Sequence, residues 1–369
     1  PHPFVYPRVE GEGVFDVPVG PIHAGVIEPG HFVFSGAGER ILKLEARLFF
    51  THRGIEKLAE GQPVAQGVFV AERICGVCAF SHSTAYVQAV EALAGTPAPP
   101  RAQAIRTLLL EFERLYNHIG DVGNICAGIG FAPGSSAGAR LKERLQELNE
   151  VVTGHRFLRG INCVGGVRRE LTNLPHAAAQ LRVIKTEFAQ MVDVMLNSDS
   201  VRQRLDGTGV LAAAVAEAFG AVGVAARASG SRRDSRIYHP HGLYPALAVQ
   251  ATTRQQGDVR ARTEVRIQEA QQAFRLVAEV LDRLPDGPLT VPLGPLPAYH
   301  GALGRVESPR GETAHWVMVA PDGTIYRYRV RSAPYANWPV VPFAVPGNMV
   351  PDFPLINKSF ELCYACCDR

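Results

Sequence analysis

The sequence predicts a mainly α protein, in which a central bundle of long helices carries small β-sheet or α+β elements in its N-terminal and C-terminal parts. Four segments between positions 104 and 284 repeat apolar side chains at three- and four-residue steps, which is the period of an α-helix. Shorter apolar runs, separated by glycine and proline, precede and follow them and are typical of strands joined by turns. Several long helices favour a bundle as the core.

The expected parts follow one another along the chain. Residues 1–60 should form a small sheet, because the apolar runs from Gly11 to Leu48 indicate two or three strands. Residues 61–290 should form the helical bundle, whose apolar stripes we interpret as core packing. Residues 291–369 should contain a β-hairpin and the C-terminal segment "ELCYACCDR".

A pair of cysteines precedes the first predicted helix. The segment "TAYVQAVEALAG" has helical composition, Ser81 or Ser83 can cap its start, and Gly95 is a typical end. The motif "RICGVC", which contains Cys75 and Cys78, is therefore expected in a loop that leads into a helix.

The hairpin is predicted from "HWVMVAPDGTIYRYRV". Two strand-like runs flank Pro321, Asp322 and Gly323, which are turn-forming residues. From Pro334 to Pro354 the chain is proline-rich, and we expect it to be irregular.

Composition and charge exclude several classes of protein. Hydrophobic residues make up 46% of the 369 and charged residues 20%, which indicates a packed globular fold. The net charge is only +3 and the basic residues are scattered, so no nucleic-acid partner is expected. No run reaches the roughly 18 to 20 apolar residues of a membrane span, and the first residues lack the features of a signal peptide. Any membrane association is expected to run through a partner.

The cysteines point to metal or redox chemistry. Seven are present, at positions 75, 78, 126, 163, 363, 366 and 367. An odd number with two CxxC pairs argues against a disulfide framework. Three interpretations of the pairs stay open: structural zinc, a thioredoxin-like dithiol that leaves the second pair unexplained, or a soft transition metal held by four thiolates from opposite ends of the chain. We interpret Cys126 and Cys163 as ordinary buried thiols.

Six motifs also occur in the order found in one enzyme family. They are "GPIHAGVIEPGHF", "THRGIEKLAEG", "RICGVCAFSH", "FERLYNHIGDVG", "SPRGETAHW" and "CYACCDR". Over essentially its whole length the chain resembles the large subunits of [NiFe]-hydrogenases, and among them the membrane-bound, energy-converting group that includes formate hydrogenlyase. This group is similar to the 49 kDa subunit of respiratory complex I, whose members lack the four cysteines. The resemblance implies one domain over residues 1–369.

The resemblance implies a set of metal ligands. Cys75 and Cys363 would be terminal thiolates on nickel, and Cys78 and Cys366 would bridge nickel to an iron that carries CO and two cyanide ligands. Soft sulfur donors suit such a low-valent centre. His82 resembles the family's histidine that hydrogen bonds the bridging sulfur.

Further roles follow from the same resemblance. Arg310 matches an arginine whose guanidinium lies over the open metal position; the alternative for it is an ion pair with Glu312. Pro309 would pack beside the diatomic ligands, and Ser359 would donate a hydrogen bond to a cyanide.

The expected proton path begins at the thiolates. Terminal thiolates can accept the proton when H₂ splits, and we assign this catalytic role to Cys363. Glu28 in "VIEPGHF" is the preferred first carboxylate of the path, ahead of Glu10 in "RVEGEG". Glu56 would serve a nearby Mg or Fe ion or a water network, unless it is a surface glutamate. Other residues of these segments receive no role: His23, His31, Glu113, His118, Asp234 and Asp352.

The chain departs from the family pattern at its end. The family has "DPCxxCT", whereas this chain has Glu361 and Leu362 before Cys363, and Cys367 in place of the threonine, where we interpret it as a small tolerated residue. Arg369 lies three residues beyond the last metal cysteine, as in family members matured by proteolysis.

The implied function is that of a hydrogenase catalytic subunit, which interconverts H₂ with two protons and two electrons, in the direction of proton reduction. An iron–sulfur cluster is expected only in a partner, a small subunit with a [4Fe-4S] cluster. Membrane subunits would anchor the complex at the cytoplasmic side of the inner membrane. Formate dehydrogenase, carbon monoxide dehydrogenase and ferredoxin stay open as electron donors. The alternatives are a complex I-like structural or quinone-site subunit without a working metal centre, and a zinc-stabilised interaction protein.

Overall fold

The computed structural model describes residues 7–22 and 28–369; His23 and part of the "GPIHAGVIEPGHF" motif lie outside them. The prediction of a mainly α fold with peripheral sheets is confirmed. The strands are β1 (Val14–Val19), β2 (His31–Ala37), β3 (Arg40–Arg47), β4 (Asn162–Cys163), β5 (Gly166–Val167), β6 (Gly301–Ser308), β7 (Gly311–Val319) and β8 (Ile325–Arg331).

The α-helices range from one turn to eight. They are α1 (Ile55–Ala59), α2 (Val64–Ala71), α3 (Ala79–Leu93), α4 (Pro100–Gly128), α5 (Ala132–Thr153), α6 (Leu174–Leu196), α7 (Asp199–Leu205), α8 (Ala213–Ala218), α9 (Gly223–Ala228), α10 (Ser235–Tyr238), α11 (Val259–Asp282), α12 (Ala333–Asn337), α13 (Val341–Ala344), α14 (Phe353–Phe360) and α15 (Tyr364–Asp368). The described part of the chain also has 3₁₀ turns at Tyr244–Ala246, Trp338–Val340 and Val350–Asp352.

The N-terminal sheet is antiparallel, in the order β1-β2-β3, as the two or three predicted strands suggested. Alternate residues of its central strand, Phe32 and Phe34, belong to the main core, while His31 before them and Val33 between them are half-buried. Both rings pack against Phe353 of α14, so the sheet is tied to the C-terminal part of the chain.

Helix α4 is the centre of the bundle. It has 29 residues, which corresponds to a length of about 44 Å. It begins with Pro100, which suits a first helical turn because that position has no intrahelical partner for an N–H group. Helices α5 and α11 pack against it, and α6 packs against both of them. The predicted apolar stripes of these helices are buried in one core.

Helix α3 begins earlier than predicted. Its N-cap residue is Cys78, and Ser81 and Ser83 lie inside the helix, so the expected serine cap is wrong. The backbone N–H groups of Phe80 and Ser81 donate instead to the carboxylate of Glu113 on α4, at 2.7 and 3.0 Å. A cap delivered by another helix leaves no local sequence signal. The predicted end is correct, since Gly95 adopts a φ of 60° directly after the last turn.

The C-terminal sheet has one strand more than the predicted hairpin. Strands β7 and β8 form that hairpin, and β6 pairs with the other edge of β7. Gly304 on β6 lies against the backbone of α3, where a Cβ atom would collide with the carbonyl of Ala85. The strand therefore lacks the apolar pattern that sequence analysis looks for. Pro309 and Arg310 alone connect β6 to β7, so Arg310 stands on a tight turn.

The proline-rich stretch after β8 was expected to be irregular. It consists of short helical turns that begin at or beside prolines, as in α12 and α13. None of the helices among the described residues is long and apolar enough to cross a bilayer.

Helices α4 and α5 approach closely through glycines, and this contact is testable. A Cβ atom added to Gly123 would lie 2.8 Å from the Cα atom of Gly138. We expect Gly123→Ala to destabilise the chain by about 1–3 kcal/mol, because the helices must move apart. Thermal unfolding measures this as a lower midpoint. Gly120→Ala is the matched control, since there the new methyl meets only the flexible side chain of Lys142. Equal midpoints for the two variants would contradict the close helix contact.

Candidate metal centre

Four cysteines from opposite ends of the chain meet at one place. Cys75 and Cys78 lie in the loop between α2 and α3, as predicted, and Cys363 and Cys366 lie at the start of α15. The thiols of the other three lie close enough to that of Cys75 to lower its pKa. The cluster of Cys75, Cys78, Cys363 and Cys366, called the thiol cluster below, is deeply enclosed, with only Cys363 partly exposed.

Among the four thiols of the cluster, that of Cys75 is favoured to carry a negative charge. Hydrogen bonds from the other three lower the pKa of Cys75 well below its usual value, whereas the bond to Cys75, together with burial, raises the pKa values of Cys78 and Cys363. Within residues 7–22 and 28–369 no three or more His, Cys, Asp or Glu side chains have metal-binding geometry. The fit to a metal therefore rests on the donor set: four convergent sulfurs suit a soft cation, whose charge would stabilise all four thiolates.

Helix α4 holds the first cysteine loop in place. Tyr116 and Asn117 both donate to the carbonyl of Val77, between the two cysteines, at 2.8 and 2.9 Å. Glu113, one turn earlier, caps the following helix and also accepts from the hydroxyl of Ser81. Burial raises the pKa of Glu113 to about 7. Sequence analysis noted Glu113 but assigned it no role.

Arg53 joins the two cysteine segments. Its guanidinium donates to the carbonyls of Ile74, at 2.7 Å, and Arg73, at 3.0 Å, and also to the carbonyl of Ala365 on the other segment, at 3.2 Å. The backbone of Arg53 binds the carbonyl of Arg369 at 2.8 Å. The "THRG" motif is therefore a clamp on the C-terminal residues, a role that sequence analysis missed because nothing in its spacing indicates it.

His82 contacts the thiol cluster directly. Its Nε2 lies 3.1 Å from the Sγ of Cys366, and its Nδ1 lies 2.8 Å from Nε2 of His315. The other nitrogen of His315 is 2.7 Å from the hydroxyl of Tyr328. Burial lowers the pKa of His82 to about 4 and that of His315 well below its usual value. The role of His82 toward a metal-bound sulfur stays a prediction; His315 and Tyr328 were not predicted.

Arg310 is buried and paired with Asp121 rather than with Glu312. Its two terminal nitrogens contact the two carboxylate oxygens of Asp121 at 2.5 and 3.0 Å, so the pair is bidentate. Glu312 accepts from the hydroxyl of Ser235 instead, so the alternative ion pair weighed for Arg310 is wrong. Burial opposes the charge on Asp121, but the guanidinium groups of Arg310 and Arg266 hold its pKa below the usual value.

Pro309, on the turn between β6 and β7, and Ser359, on α14, are both buried. The hydroxyl of Ser359 donates to the carbonyl of Ile356 at 2.6 Å and accepts from Nε of Arg262 at 2.8 Å. Its only proton is thus engaged within the protein, and its contact with a cyanide stays a prediction.

Glu28 lies against the second cysteine segment. Its Oε2 accepts from the backbone N–H of Ala365, which stands between Cys363 and Cys366, at 2.7 Å. The side chain is exposed. Glu10, the other candidate, is exposed as well.

Glu56 contacts strand β8 and the C-terminal residue. Its Oε1 accepts from the backbone of Val330 at 2.9 Å and from the guanidinium of Arg369 at 3.2 Å, and Arg329 lies 3.5 Å from Oε2. Glu56 thus helps to fix the C-terminal residue, and its role beside a Mg or Fe ion stays a prediction.

Two family models match the chain. The model described as respiratory-chain NADH dehydrogenase, 49 Kd subunit, matches residues 129–296 and 291–369, and the model described as nickel-dependent hydrogenase matches residues 53–121. The second match contains the first cysteine pair, Arg53, His82 and Asp121.

Curated relatives and a solved structure are similar over nearly the whole chain. Formate hydrogenlyase subunit 5 of Escherichia coli is 41% identical over 96% of the chain and 63% of its own length. Membrane-bound hydrogenase subunit alpha of Pyrococcus furiosus is 32% identical over 96% of the chain and 87% of its own length. A chain from the structure of an archaeal respiratory membrane complex, the membrane-bound sulfane sulfur reductase, superposes with a TM-score of 0.89 at 28% identity, over 99% of this chain and 100% of that one.

The fold, the thiol cluster and these matches place the chain among the related subunits of hydrogenases and respiratory NADH dehydrogenases. The chain belongs to the family of [NiFe]-hydrogenase large subunits, in the membrane-bound, energy-converting group related to the complex I 49 kDa subunit. It spans less than two thirds of the length of the Escherichia coli relatives that it matches.

The clamp by Arg53 makes a structural prediction. We expect Arg53→Lys to loosen α15, because the single ammonium nitrogen of a lysine cannot span the carbonyls that the two terminal guanidinium nitrogens of Arg53 reach. Hydrogen–deuterium exchange should show the amides of residues 364–369 exchanging about tenfold faster, as the loss of one charge-assisted hydrogen bond implies. Arg73→Lys is the control, since that guanidinium donates to the carbonyl of Phe69 in the preceding helix α2 and not to the C-terminal segment. Unchanged exchange in Arg53→Lys would contradict the clamp.

Proposed function

We propose that the chain is the catalytic subunit of a [NiFe]-hydrogenase and interconverts H₂ with two protons and two electrons. The observation that carries the proposal is the convergence of Cys75, Cys78, Cys363 and Cys366 in one buried cluster. A Ni–Fe centre with CO and cyanide ligands, when bound there, supplies a soft, low-valent site that splits or forms H₂ heterolytically.

The cysteines take the roles that the resemblance implied. Cys75 and Cys363 would hold nickel, and Cys78 and Cys366 would bridge nickel and iron. His82 supports this arrangement because its Nε2 lies within hydrogen-bonding distance of Cys366. Cys363 is the cluster member that is partly exposed, which suits its proposed role as the thiolate that accepts a proton.

Arg310 supplies a fixed positive charge at the site. The bidentate contact with Asp121 prevents rotation of the guanidinium, and Asp121 is itself held by Arg266 at 3.1 Å. A charge oriented in advance stabilises a reacting group without reorganisation during the reaction. Pro309 and Ser359 are proposed to enclose the CO and cyanide ligands beside it.

The proton that is consumed or released at the thiol cluster would pass to or from solvent through Glu28. This carboxylate contacts the backbone between Cys363 and Cys366 and is exposed, so it can exchange a proton between the cysteine segment and the outside. We propose proton reduction as the working direction, by analogy with the hydrogenase group that the sequence resembles.

The remaining parts of the proposal concern the complex. The four cluster cysteines leave Cys126, Cys163 and the buried Cys367, which do not form a set of cluster ligands, so a [4Fe-4S] cluster belongs to a small partner subunit. Membrane subunits would hold the chain at the cytoplasmic face of the inner membrane. Formate dehydrogenase, carbon monoxide dehydrogenase or ferredoxin would exchange the electrons. We also propose that residues 1–369 act as one domain.

A second candidate is a complex I-like subunit without a working metal centre. The longer family match and the similarity to the sulfane sulfur reductase complex favour it. The four thiols count against it, because a chain without a metal gains nothing from placing four cysteines together in its interior.

Metal analysis separates the two candidates. In the chain purified within its complex we expect about one nickel and one iron bound through the thiol cluster, as the donor set implies, with infrared bands of CO and cyanide. Absence of nickel and of these bands would exclude the hydrogenase proposal, and zinc alone would indicate a structural site.

Two cysteine variants test the ligand assignment within the same experiment. Cys75→Ser should lose nickel and H₂ production, because a serine hydroxyl is a poor ligand for a soft metal. Cys126→Ser is the matched control, as this thiol is buried against Met195 and apart from the thiol cluster. Retention of nickel in Cys75→Ser would refute the assignment.

Arg310→Lys tests the fixed charge. A lysine keeps the charge but cannot make the bidentate contact with Asp121. We expect nickel content to stay unchanged and H₂ production to fall about 10²- to 10³-fold, the effect of losing one oriented group at a reacting centre. Arg305→Lys is the control: this arginine lies on β6, is half-buried beside His239, and its replacement should keep wild-type turnover. Wild-type turnover in Arg310→Lys would reject the role.

A further inference from the structure

A chain of three buried side chains ends at the thiol cluster. Tyr328, His315 and His82 follow one another at 2.7 and 2.8 Å, and His82 reaches Cys366 at 3.1 Å. All three side chains are fully buried.

The direction of these hydrogen bonds follows from counting protons. Within residues 7–22 and 28–369 the hydroxyl of Tyr328 has one hydrogen-bond partner, Nδ1 of His315. A buried hydroxyl that only accepted would leave its own proton without a partner, so Tyr328 donates. Nδ1 of His315 therefore accepts, and the ring proton of His315 lies on Nε2.

The same argument about protons extends from His315 through His82 to the sulfur of Cys366. Nε2–H of His315 donates to Nδ1 of His82, which places the proton of His82 on Nε2, the nitrogen that faces Cys366. In the opposite tautomer a lone pair of His82 would face the sulfur, and Tyr328 would lose its acceptor.

We propose that His315 and Tyr328 are positioning residues that lock His82 in the Nε2–H tautomer, so that His82 donates permanently to the sulfur of Cys366. The effect on a metal at this sulfur rests on the proposed function, whereas the tautomer itself does not.

The hairpin geometry supports a fixed role for the pair. In the register of β7 and β8, Tyr328 lies opposite Val317, two residues from His315, so the two side chains are diagonal neighbours on the same face. This face is buried against α3, which carries His82. The ring of Tyr328 also stands edge-on to Tyr86 of α3 at 5.7 Å, which restricts its rotation.

The chain of contacts does not serve as a proton exit. It ends at the fully buried Tyr328, and the hydroxyl of the adjacent Tyr86 donates to the backbone carbonyl of Val64. A proton that reached Tyr328 would have no acceptor toward solvent among the described residues. Orientation of His82 is therefore the function that the geometry favours. A hydrogen bond to a metal-bound sulfur withdraws electron density from it and raises the reduction potential of the centre.

Tyr328→Phe removes the first donor and keeps the ring. In ¹⁵N NMR of the full chain with labelled histidine, we expect His82 to carry its proton on Nε2 in the wild type and to populate both tautomers in Tyr328→Phe. Tyr86→Phe is the matched control, because it removes an equally buried tyrosine hydroxyl whose bond goes to the backbone. A proton on Nδ1 in the wild type, or an unchanged tautomer in Tyr328→Phe, would overturn the proposal.

Infrared spectra of the complex then report on the metal. Tyr328→Phe should keep its nickel, move the CO band to lower wavenumber and lower the midpoint potential, while Tyr86→Phe matches the wild type. If the wild type lacks CO and cyanide bands, the proposed function fails, yet the tautomer measurement still decides the role of His315 and Tyr328. If the bands are present and Tyr328→Phe leaves them in place, the inference fails and the proposed function stands.

A second pair of variants, at His315, tests the proposal if Tyr328→Phe does not fold. His315→Gln keeps an N–H donor for His82, and His315→Leu does not. The tautomer of His82 in His315→Gln should resemble the wild type more than that in His315→Leu. The same mixture of tautomers in both variants would count against the proposal.

Discussion

The structure depends on bringing the two ends of the chain together at the thiol cluster. Cys75 and Cys363 belong to segments separated by more than three quarters of the sequence, so closing this loop costs conformational entropy that local contacts cannot offset. The guanidinium of Arg53 spans the two segments, and Thr51 donates to the carboxylate of Asp368 through its backbone and its hydroxyl. Hydrogen bonds between remote backbone segments thus hold the cluster in place, and a bound metal would add to them.

The interior around the cluster is unusually charged for a helical bundle. Arg227 contacts Glu269 at 2.8 Å and Glu307 at 2.7 Å, and Arg236 contacts Asp234 at 2.7 Å, all in fully or almost fully buried positions. Burying such charges costs free energy unless every charge is paired, so this network contributes little net stability and fixes relative positions instead. It links α9, α10 and α11 to strand β6, directly before the turn that carries Arg310. The orientation of that arginine is therefore set by many contacts outside the cluster.

The sequence predicted the parts of this protein that have a local pattern. The bundle follows from apolar periodicity in α4, α5, α6 and α11, and the hairpin β7–β8 follows from turn residues at positions 321–323. The two CxxC pairs were recognisable because spacing and residue type coincide. In contrast, the cap of α3 by Glu113 and the pairing of Arg310 with Asp121 join side chains far apart in sequence, and neither has a signature in one chain. Strand β6 escaped prediction for a related reason: Gly304 is required by the backbone of α3 and breaks the apolar alternation.

Strand β7 links the positions of Arg310 and His315, the two residues that support the site. Arg310 precedes it on the turn, and His315 lies five positions further on, so a single backbone delivers the fixed charge and the partner of His82. Gly311 makes this possible, because its φ of 128° is unfavourable for other residues and a Cβ atom would lie 2.7 Å from the backbone nitrogen of Gly223. On one side the strand is pressed against α9 through these glycines, and on the other its sheet is pressed against α3. A shift of β7 would therefore displace Arg310 and His315 together, and the charge over the site and the hydrogen bond to Cys366 cannot vary independently.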